Sequence, residues 1–415
     1  MTSTLNLETQ SMQHSAFDFF TPRLSPPKDY RQSEPNFENA YICANISQLC
    51  YLSSVNAKRM NIGYEEAVRS TLYSWGCSYE DVQKTIFIDS QDIEDIVDDG
   101  EDIDDNKKKY ITDTQGLIIF HKNTAIIGFR GSEKKVSDWA TNFKIRSREL
   151  DYTDKPYEHE NPLAVIFSKK PRVHRGFLKA FKAILVNPKY HDSVMKQLGA
   201  AENVWLTGHS LGGAIAILAA NYLLEQVEEE IHVSGVYTFG APRVGNSHYR
   251  DHINDKFKYQ YWRFMNDNDP VPDIPFPELI YRYSREGCML RLNKINGDID
   301  YLRRIDENGE RIRIPGKPYR GKFTSVDDHN LGGPGSYCER LFYLVSQNQP
   351  NCPEMTFKQL DDQGRIKGIT PEISIFQTID SLLKQGVSEE IIAKSLNVDL
   401  EIVRKARNSD FPYSD

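Results

Sequence analysis

The chain has 415 residues, with 51 Lys and Arg against 59 Asp and Glu, a formal net charge of −8 and 27% charged residues. This acidic balance argues against a nucleic-acid or anionic-membrane binder on bulk electrostatics, and no run approaches the ~18 consecutive apolar residues of a membrane span. The length accommodates one large α/β domain with an appendage, or two to three ordinary domains.

Residues 1–36 are polar and carry Pro22, Pro26, Pro27 and Pro35, the pattern of a flexible arm, with Phe17, Phe19 and Phe20 as groups able to dock it. The first twenty residues have neither a basic start nor an apolar core, so no secretory signal is read and a cytoplasmic location is expected. The cysteines, Cys43, Cys50, Cys77, Cys288, Cys338 and Cys352, fit no zinc spacing and are expected as reduced, mostly buried thiols. FENAYICANISQLCYLS predicts a helix with Ala40, Cys43, Ala44, Ser47 and Cys50 on one face, and GYEEAVRSTLYSWG a second, stopped by Gly76. Thr85 to Ser90 reads as a strand. The acidic stretch from Asp92 to Asp105 fails as a calcium loop: with Gly100 at position six, Val97 falls on a ligand position and Asn106 on the closing glutamate. It reads as a solvated loop.

Leu117–Phe120 and Ala125–Phe129 are apolar strands joined by Lys122-Asn123, a hairpin pattern. Helices are expected through AFKAIL and HDSVMKQLG. A short buried strand, Val204–Thr207, then runs into Gly208-His209-Ser210-Leu211-Gly212 and a helix rich in small residues from Gly213 onward. This order of strand, G-x-S-x-G and helix is what a nucleophile elbow requires: the tight turn admits only glycine at its flanks and lifts the serine hydroxyl to the apex, at a helix N-terminus that favours developing negative charge. Val233–Phe239 and Tyr259–Met265 read as the next strands. The alternation gives an α/β fold with a mostly parallel sheet and helices on both faces.

From Tyr281 to Pro315 the pattern changes to alternating charged and apolar residues around Gly287 and Asn308-Gly309, read as an antiparallel β-hairpin extension with Arg303, Arg304, Arg311 and Arg313 on a solvated face. Residues 351–415 are charged and read as three short helices. Their order is similar to a helix-turn-helix, but the acidic chain favours an appendage that packs on itself or on a partner.

A serine hydroxyl is a weak nucleophile near neutral pH, so Ser210 needs a histidine base and a carboxylate that fixes its tautomer. In chain order these follow as Asp/Glu, then His. His329 is the sole histidine beyond the NDNDPVPDIP loop, and His209, beside the nucleophile, cannot turn back onto it.

TGHSLGGAIA resembles the elbow of the class 3 (fungal-type) lipases, a branch of the α/β-hydrolases. The likeness extends, in order, through FRGS (Phe129–Ser132), Asp138-Trp139, H-x-G-F at His174, Gly176 and Phe177, GAPRVGN (Gly240–Asn246), N-x-x-D-x-V-P at Asn266, Asp269, Val271 and Pro272, and the D-H pair at Asp328-His329. It spans roughly residues 37–345, within an α/β-hydrolase domain expected over 37–350. The resemblance implies Ser210, Asp269 and His329 as a catalytic triad, with Asp267 and Asp273 out of register. It also implies an oxyanion hole from Ser132 and the backbone N–H of Leu211. Trp139 falls in or beside the lid, where it faces substrate or the core. His174 is assigned to structure. The implied activity is hydrolysis of acyl esters of glycerides or phospholipids through a Ser-linked acyl-enzyme, with no metal or cofactor, no nucleic-acid partner and at most transient contact with a lipid surface. Acyl-chain preference and oligomeric state are not legible. The alternative is a catalytically silent lipase-like binding protein. The segment Glu133–Trp139 holds only Val136 and Trp139 as large apolar groups, so little activation at an oil interface is expected, unless Leu163–Phe167 supplies an apolar cover.

Overall fold

The computed structural model describes residues 15–52, 64–89, 115–131, 147–152, 168–275 (apart from 187, 189, 226 and 228–230), 283–293, 299–314 (apart from 313) and 326–355, together with 379, 383, 387–395, 400, 403 and 404. Strand side chains alternate between two faces, and the core follows that alternation. Ile126, Trp205 and Tyr237 point into one apolar cluster, while Ala125, Ile127, Val204, Leu206 and Val236 point into another. The sheet is buried on both sides, which is why its central strands read as continuous apolar runs.

The strands are β1 (Ile86–Asp89), β2 (Gln115–His121), β3 (Thr124–Phe129), β4 (Ser147–Glu149), β5 (Arg172–His174), β6 (Asn203–His209), β7 (Val233–Phe239), β8 (Tyr261–Asn266), β9 (Cys288–Leu292), β10 (Ile299–Ile305) and β11 (Arg311–Ile312). Among the described residues they form one nine-stranded sheet, ordered β1-β2-β3-β6-β7-β8-β9-β10-β11, and a β4-β5 pair. The β2-β3 hairpin is antiparallel, with Lys122 at φ 52° in its turn. From β3 through β6, β7, β8 and β9 every pairing is parallel. The expected antiparallel extension therefore begins one strand later than the sequence reading placed it. Gly287, at φ 70°, leads into β9 and is not a hairpin turn. The hairpins are β9-β10 and β10-β11, the second turning at Asn308-Gly309.

The helices are α1 (Phe37–Leu49), α2 (Tyr64–Ser74), α3 (Tyr79–Gln83), α4 (Arg175–Leu185), α5 (His191–Gly199), α6 (Leu211–Glu225), α7 (Ser247–Phe257), α8 (Tyr337–Asn348) and α9 (Glu389–Ser395). Helices α4, α5, α6 and α7 cover one sheet face, and α1, α2 and α8 the other. Asn36 caps α1 by accepting from Asn39 N–H at 2.7 Å. The expected helix is present as α1, and its burial extends beyond the face formed by Ala40, Cys43, Ala44 and Ser47. Every residue from Asn39 to Ser47 is buried, because α1 lies between β6 on one side and α8 on the other. Its polar side chains turn inward: Ser47 Oγ shares a hydrogen bond with Thr207 Oγ1 at 2.9 Å, and Asn45 donates to Tyr41 O.

The segment from residue 15 to 36, expected as a flexible arm, is packed on the body. Phe17 and Phe20 are buried, Phe20 meets the Trp205 ring edge-on at 5.3 Å, and Trp205 Nε1 donates to Pro22 O at 2.7 Å. In the tail, α9 matches one of the three expected helices. Ile379, Ile392 and Val403 are buried in the same apolar cluster as α1 and α8. The acidic stretch 92–105 lies outside the described residues, as do Ser132, Trp139 and the segment 163–167. All six cysteines are free and buried.

Candidate active site

Strand β6 delivers Ser210, and α6 starts at the next residue. Ser210 sits at φ 56°, a left-handed conformation costly for a residue with a side chain. Its N–H donates to Phe239 O at 2.9 Å, and its carbonyl accepts from Gly213 N–H at 3.0 Å. The flanking glycines are required by contact: a methyl on Gly208 would enter the Gly212 backbone, and one on Gly212 would strike Phe129 O. Leu211 opens α6, so its N–H is one of the amides at the helix N-terminus without an intrahelical acceptor. Gly131, the last described residue of the FRGS motif, lies within 3.2 Å of Ser210 Cβ, measured from an ideal Cβ position. That places Gly131 beside the elbow.

The acid enters from the turn after β8. Asp269 is fully buried. Its Oδ1 accepts from Val271 N–H at 2.9 Å, and its Oδ2 from Tyr337 Oη at 2.5 Å. His329 Nδ1 lies 3.0 Å from Oδ1 and 2.9 Å from Oδ2. A carboxylate has no proton to give, so Nδ1 carries the hydrogen and Nε2 is left as the acceptor. Gly240 makes room for this pair. At φ 57°, its missing Cβ would stand 2.7 Å from Asp269 Oδ2 and 2.9 Å from the His329 ring. Residue 240 directly follows the Phe239 carbonyl that anchors Ser210, so one short backbone stretch ties Ser210 to the His329–Asp269 pair. Among the described residues Ser210 Oγ forms no hydrogen bond to the His329 ring. In unliganded sites such bonds are commonly long and tighten with substrate.

Around the dyad is a set of groups that the sequence reading did not assign to it. Tyr337, at the start of α8, both donates to Asp269 and accepts from Asn266 N–H at 2.9 Å. Burial, reinforced by the Asp269 charge, raises its phenol well above the ordinary range, so it remains a donor. Asn266 Nδ2 donates to Asp328 O and Gly335 O, both at 2.9 Å, fastening the His329 loop to the end of β8. His209 Nε2 lies 2.7 Å from His329 O and therefore carries the proton, which leaves Nδ1 to accept from Tyr51 Oη at 3.0 Å. The two imidazole rings are 4.4 Å apart. Burial, and then the His329 charge, push His209 well below the usual histidine range, so it stays neutral. The sequence reading placed His209 beside Ser210 and unable to turn back onto it. Its hold on His329 is a tertiary contact with no local signature. Tyr337 opens α8, and nothing in GSYCERLF marks its hydroxyl as aimed at a carboxylate.

The neighbouring acids are held elsewhere. Asp267, at φ 38°, accepts from Asn268, and Asp273 faces Arg243 and Arg285. His174 occupies the N-cap position of α4, and its ring lies tilted against Phe177 with centroids 4.4 Å apart. Among the described residues, no group of three or more His, Cys, Asp or Glu is arranged to hold a metal.

Residues 126–279 match the model of the family "Lipase (class 3)". The secreted mono- and diacylglycerol lipase 1 of Fusarium solani is 31% identical over 159 residues, covering 38% of this chain and 41% of that protein. Triacylglycerol lipase OBL1 of Arabidopsis thaliana is 30% identical over 199 residues, covering 40% and 37%. The chain thus spans about two fifths of the length of these relatives. Among solved structures, a lipase from Rhizopus microsporus var. chinensis superposes with a TM-score of 0.41 at 21% identity, over 69% of this chain and 86% of that one. With the elbow, the buried acid–histidine pair and the GAPRVGN and N-x-x-D-x-V-P segments in order on a mostly parallel sheet, residues 126–279 are similar to the class 3 lipase family.

Proposed function

We propose that this protein is a serine carboxylic-ester hydrolase that cleaves acyl esters of glycerides or phospholipids through an acyl-enzyme. The observation that carries this reading is the buried His329–Asp269 pair, set one backbone residue from the carbonyl that anchors Ser210. His329 Nε2 takes the Ser210 proton as Oγ attacks the ester carbonyl. The alkoxide of the tetrahedral intermediate meets the Leu211 N–H and Ser132. Its collapse breaks the C–O bond to the alcohol, which leaves with the proton from His329. Water, activated by the same imidazole, then releases the fatty acid and regenerates Ser210. Asp269 holds the imidazole tautomer and stabilises the imidazolium that forms in each half-reaction.

The relatives named above are mono-, di- and triacylglycerol lipases, which supports glycerides as the first substrates to try. The test is a hydrolysis panel of tri- and diglyceride, phospholipid and p-nitrophenyl esters of rising chain length, run beside Ser210→Ala, with fluorophosphonate labelling of both proteins. Hydrolysis and labelling in the wild type, both lost in Ser210→Ala, are the expected result. A wild-type protein that neither turns over an ester nor takes the probe would overturn the proposal.

A further inference from the structure

On the sheet face beside the acid loop lies a group of buried cations that ester hydrolysis does not use. Arg263 of β8 and Arg303 of β10 are both in register with Met289 of the strand between them. In-register residues on neighbouring strands project to the same face, so the two guanidinium groups flank Met289 on one side of the sheet. Arg243, from the GAPRVGN loop, and Arg285, before β9, approach the same place. Against these four stand two carboxylates. Glu286 is fully buried, with its Oε1 3.9 Å from Arg263 Nη1, and Asp273 contacts Arg285 and lies 3.5 Å from Arg243 Nη2. Leaving Arg285 aside, Arg243, Arg263 and Arg303 outnumber the two carboxylates among the described residues.

The donors are also underused. Arg263 Nη2 donates to Ala241 O and Pro242 O, and Arg243 Nη1 to Pro275 O. Arg263 Nε and Nη1, Arg243 Nε, and Arg303 Nε and Nη1 are buried without a hydrogen-bond partner among the described residues. Arg263 and Arg303 are more than nine-tenths buried. An unpartnered buried guanidinium is among the most costly groups a core can hold, and its planar fork is shaped for an oxyanion. The repulsion is mutual: burial, then the charges of Arg263, Arg311 and Arg285, depress the Arg303 pKa well below its ordinary value.

We propose that this cluster is a binding site for a small tetrahedral oxyanion of the phosphate class, held between Arg303, Arg263 and Arg243. Entry is from the Arg285 side, where that side chain is 32% exposed while Arg243 is 8% exposed. The site adjoins the acid loop: Arg243 N–H donates to Ile274 O at 2.8 Å, and Ile274 ends the turn whose Val271 N–H holds Asp269. A bound anion therefore stiffens the turn that carries the acid.

The test is thermal unfolding of the full chain in inorganic phosphate against chloride at matched ionic strength. At about 10 mM phosphate a rise in Tm on the order of a few degrees is expected, and Arg303→Met should abolish that rise. In phosphate-free buffer the same variant should melt no lower than wild type, because it removes an unpaired buried charge. If Arg303→Met fails to fold, Arg303→Lys keeps the charge without the fork, and about tenfold weaker phosphate binding is expected of it. Broadening of the 31P resonance of phosphate by the wild-type protein is the direct readout. An unchanged resonance, equal melting in phosphate and chloride, or a phosphate response that survives loss of the Arg303 guanidinium would each overturn the proposal.

Discussion

At the scale of single residues, the groups around Asp269 divide into those that set charge and those that set position. Asp269→Asn leaves the shape but removes the charge that steadies the imidazolium. By analogy with other triads the expected loss in kcat is on the order of 10⁴-fold, whereas Asp267→Asn, remote from His329, should stay near wild type. Steady-state kinetics on a soluble ester compares them directly. Tyr337→Phe removes one hydrogen bond to a buried carboxylate and leaves Asn266 N–H without its acceptor. A loss of about 1.5–3 kcal/mol is expected from such a charge-assisted bond, read as a lower urea midpoint together with reduced kcat at unchanged KM. His209 adds a pH dependence. Its folded pKa lies below the unfolded value near 6.5, so protons bind preferentially to the unfolded chain. Its contribution to stability is complete above about pH 6.5 and declines as pH falls below that, by about 1.4 kcal/mol per pH unit for one proton. Urea midpoints between pH 7.5 and about 5.5 should fall in the wild type, and fall less steeply in His209→Gln. Equal slopes would show that His209 is not the group responsible. In the sequence, Asp269 was legible because N-x-x-D-x-V-P fixes a register. Tyr337, Tyr51 and the His209–His329 contact were not, because each joins segments far apart in the chain, and hydrogen bonds of this kind leave no local pattern.

At the scale of elements, periodicity and glycine placement carried most of the sheet into the sequence reading, and they failed where an element meets an unusual neighbour. The β2-β3 hairpin and the elbow were legible from apolar runs broken at Lys122-Asn123 and at Gly208 and Gly212. The direction of β9 was not. Alternating charge reads as a half-exposed strand, yet β9 pairs with β8 on one side and β10 on the other, and Arg303 is buried with them. Helix α1 was legible as a helix, but not that its polar groups turn inward, since they find partners in the core. The segment at residues 15–36 has the composition of a disordered arm but docks through a few aromatic contacts. Phe20 on Trp205 is one of those contacts. Phe20→Ala should destabilise the protein by about 3 kcal/mol, the low end for buried aromatics, and free the segment to proteolysis ahead of the body. Limited proteolysis with mass spectrometry checks both. A variant as resistant and as stable as wild type would show that the docking contributes nothing.

At the scale of the whole molecule, little of the described surface invites a lipid interface. Among the described residues the exposed large apolar side chains are Leu224, Tyr343 and Ile391, on three different helices. An apolar lid gains from oil in proportion to area, roughly 25 cal/mol per Å², and Glu133–Trp139 brings little area and four charges. The expected outcome is turnover of short-chain esters below their solubility limit, with no sharp rise as an emulsion forms. A step in the rate-against-concentration curve would point to residues 163–167 as the apolar cover. The same interior that hides the arginines also hides every thiol, and this gives the molecule an internal clock. Burial pushes Cys50 and Cys288 up to about 12 and the less enclosed Cys352 to about 11, so none is a thiolate at neutral pH. Alkylation must then wait for the chain to open. Cys352, near the end of the last core helix, should be modified first, reporting release of the C-terminal edge. Cys43, on α1 and packed against Thr207, should be modified last, at the pace of global unfolding. Six residues without a part in the chemistry thereby time-stamp the order in which the protein comes apart.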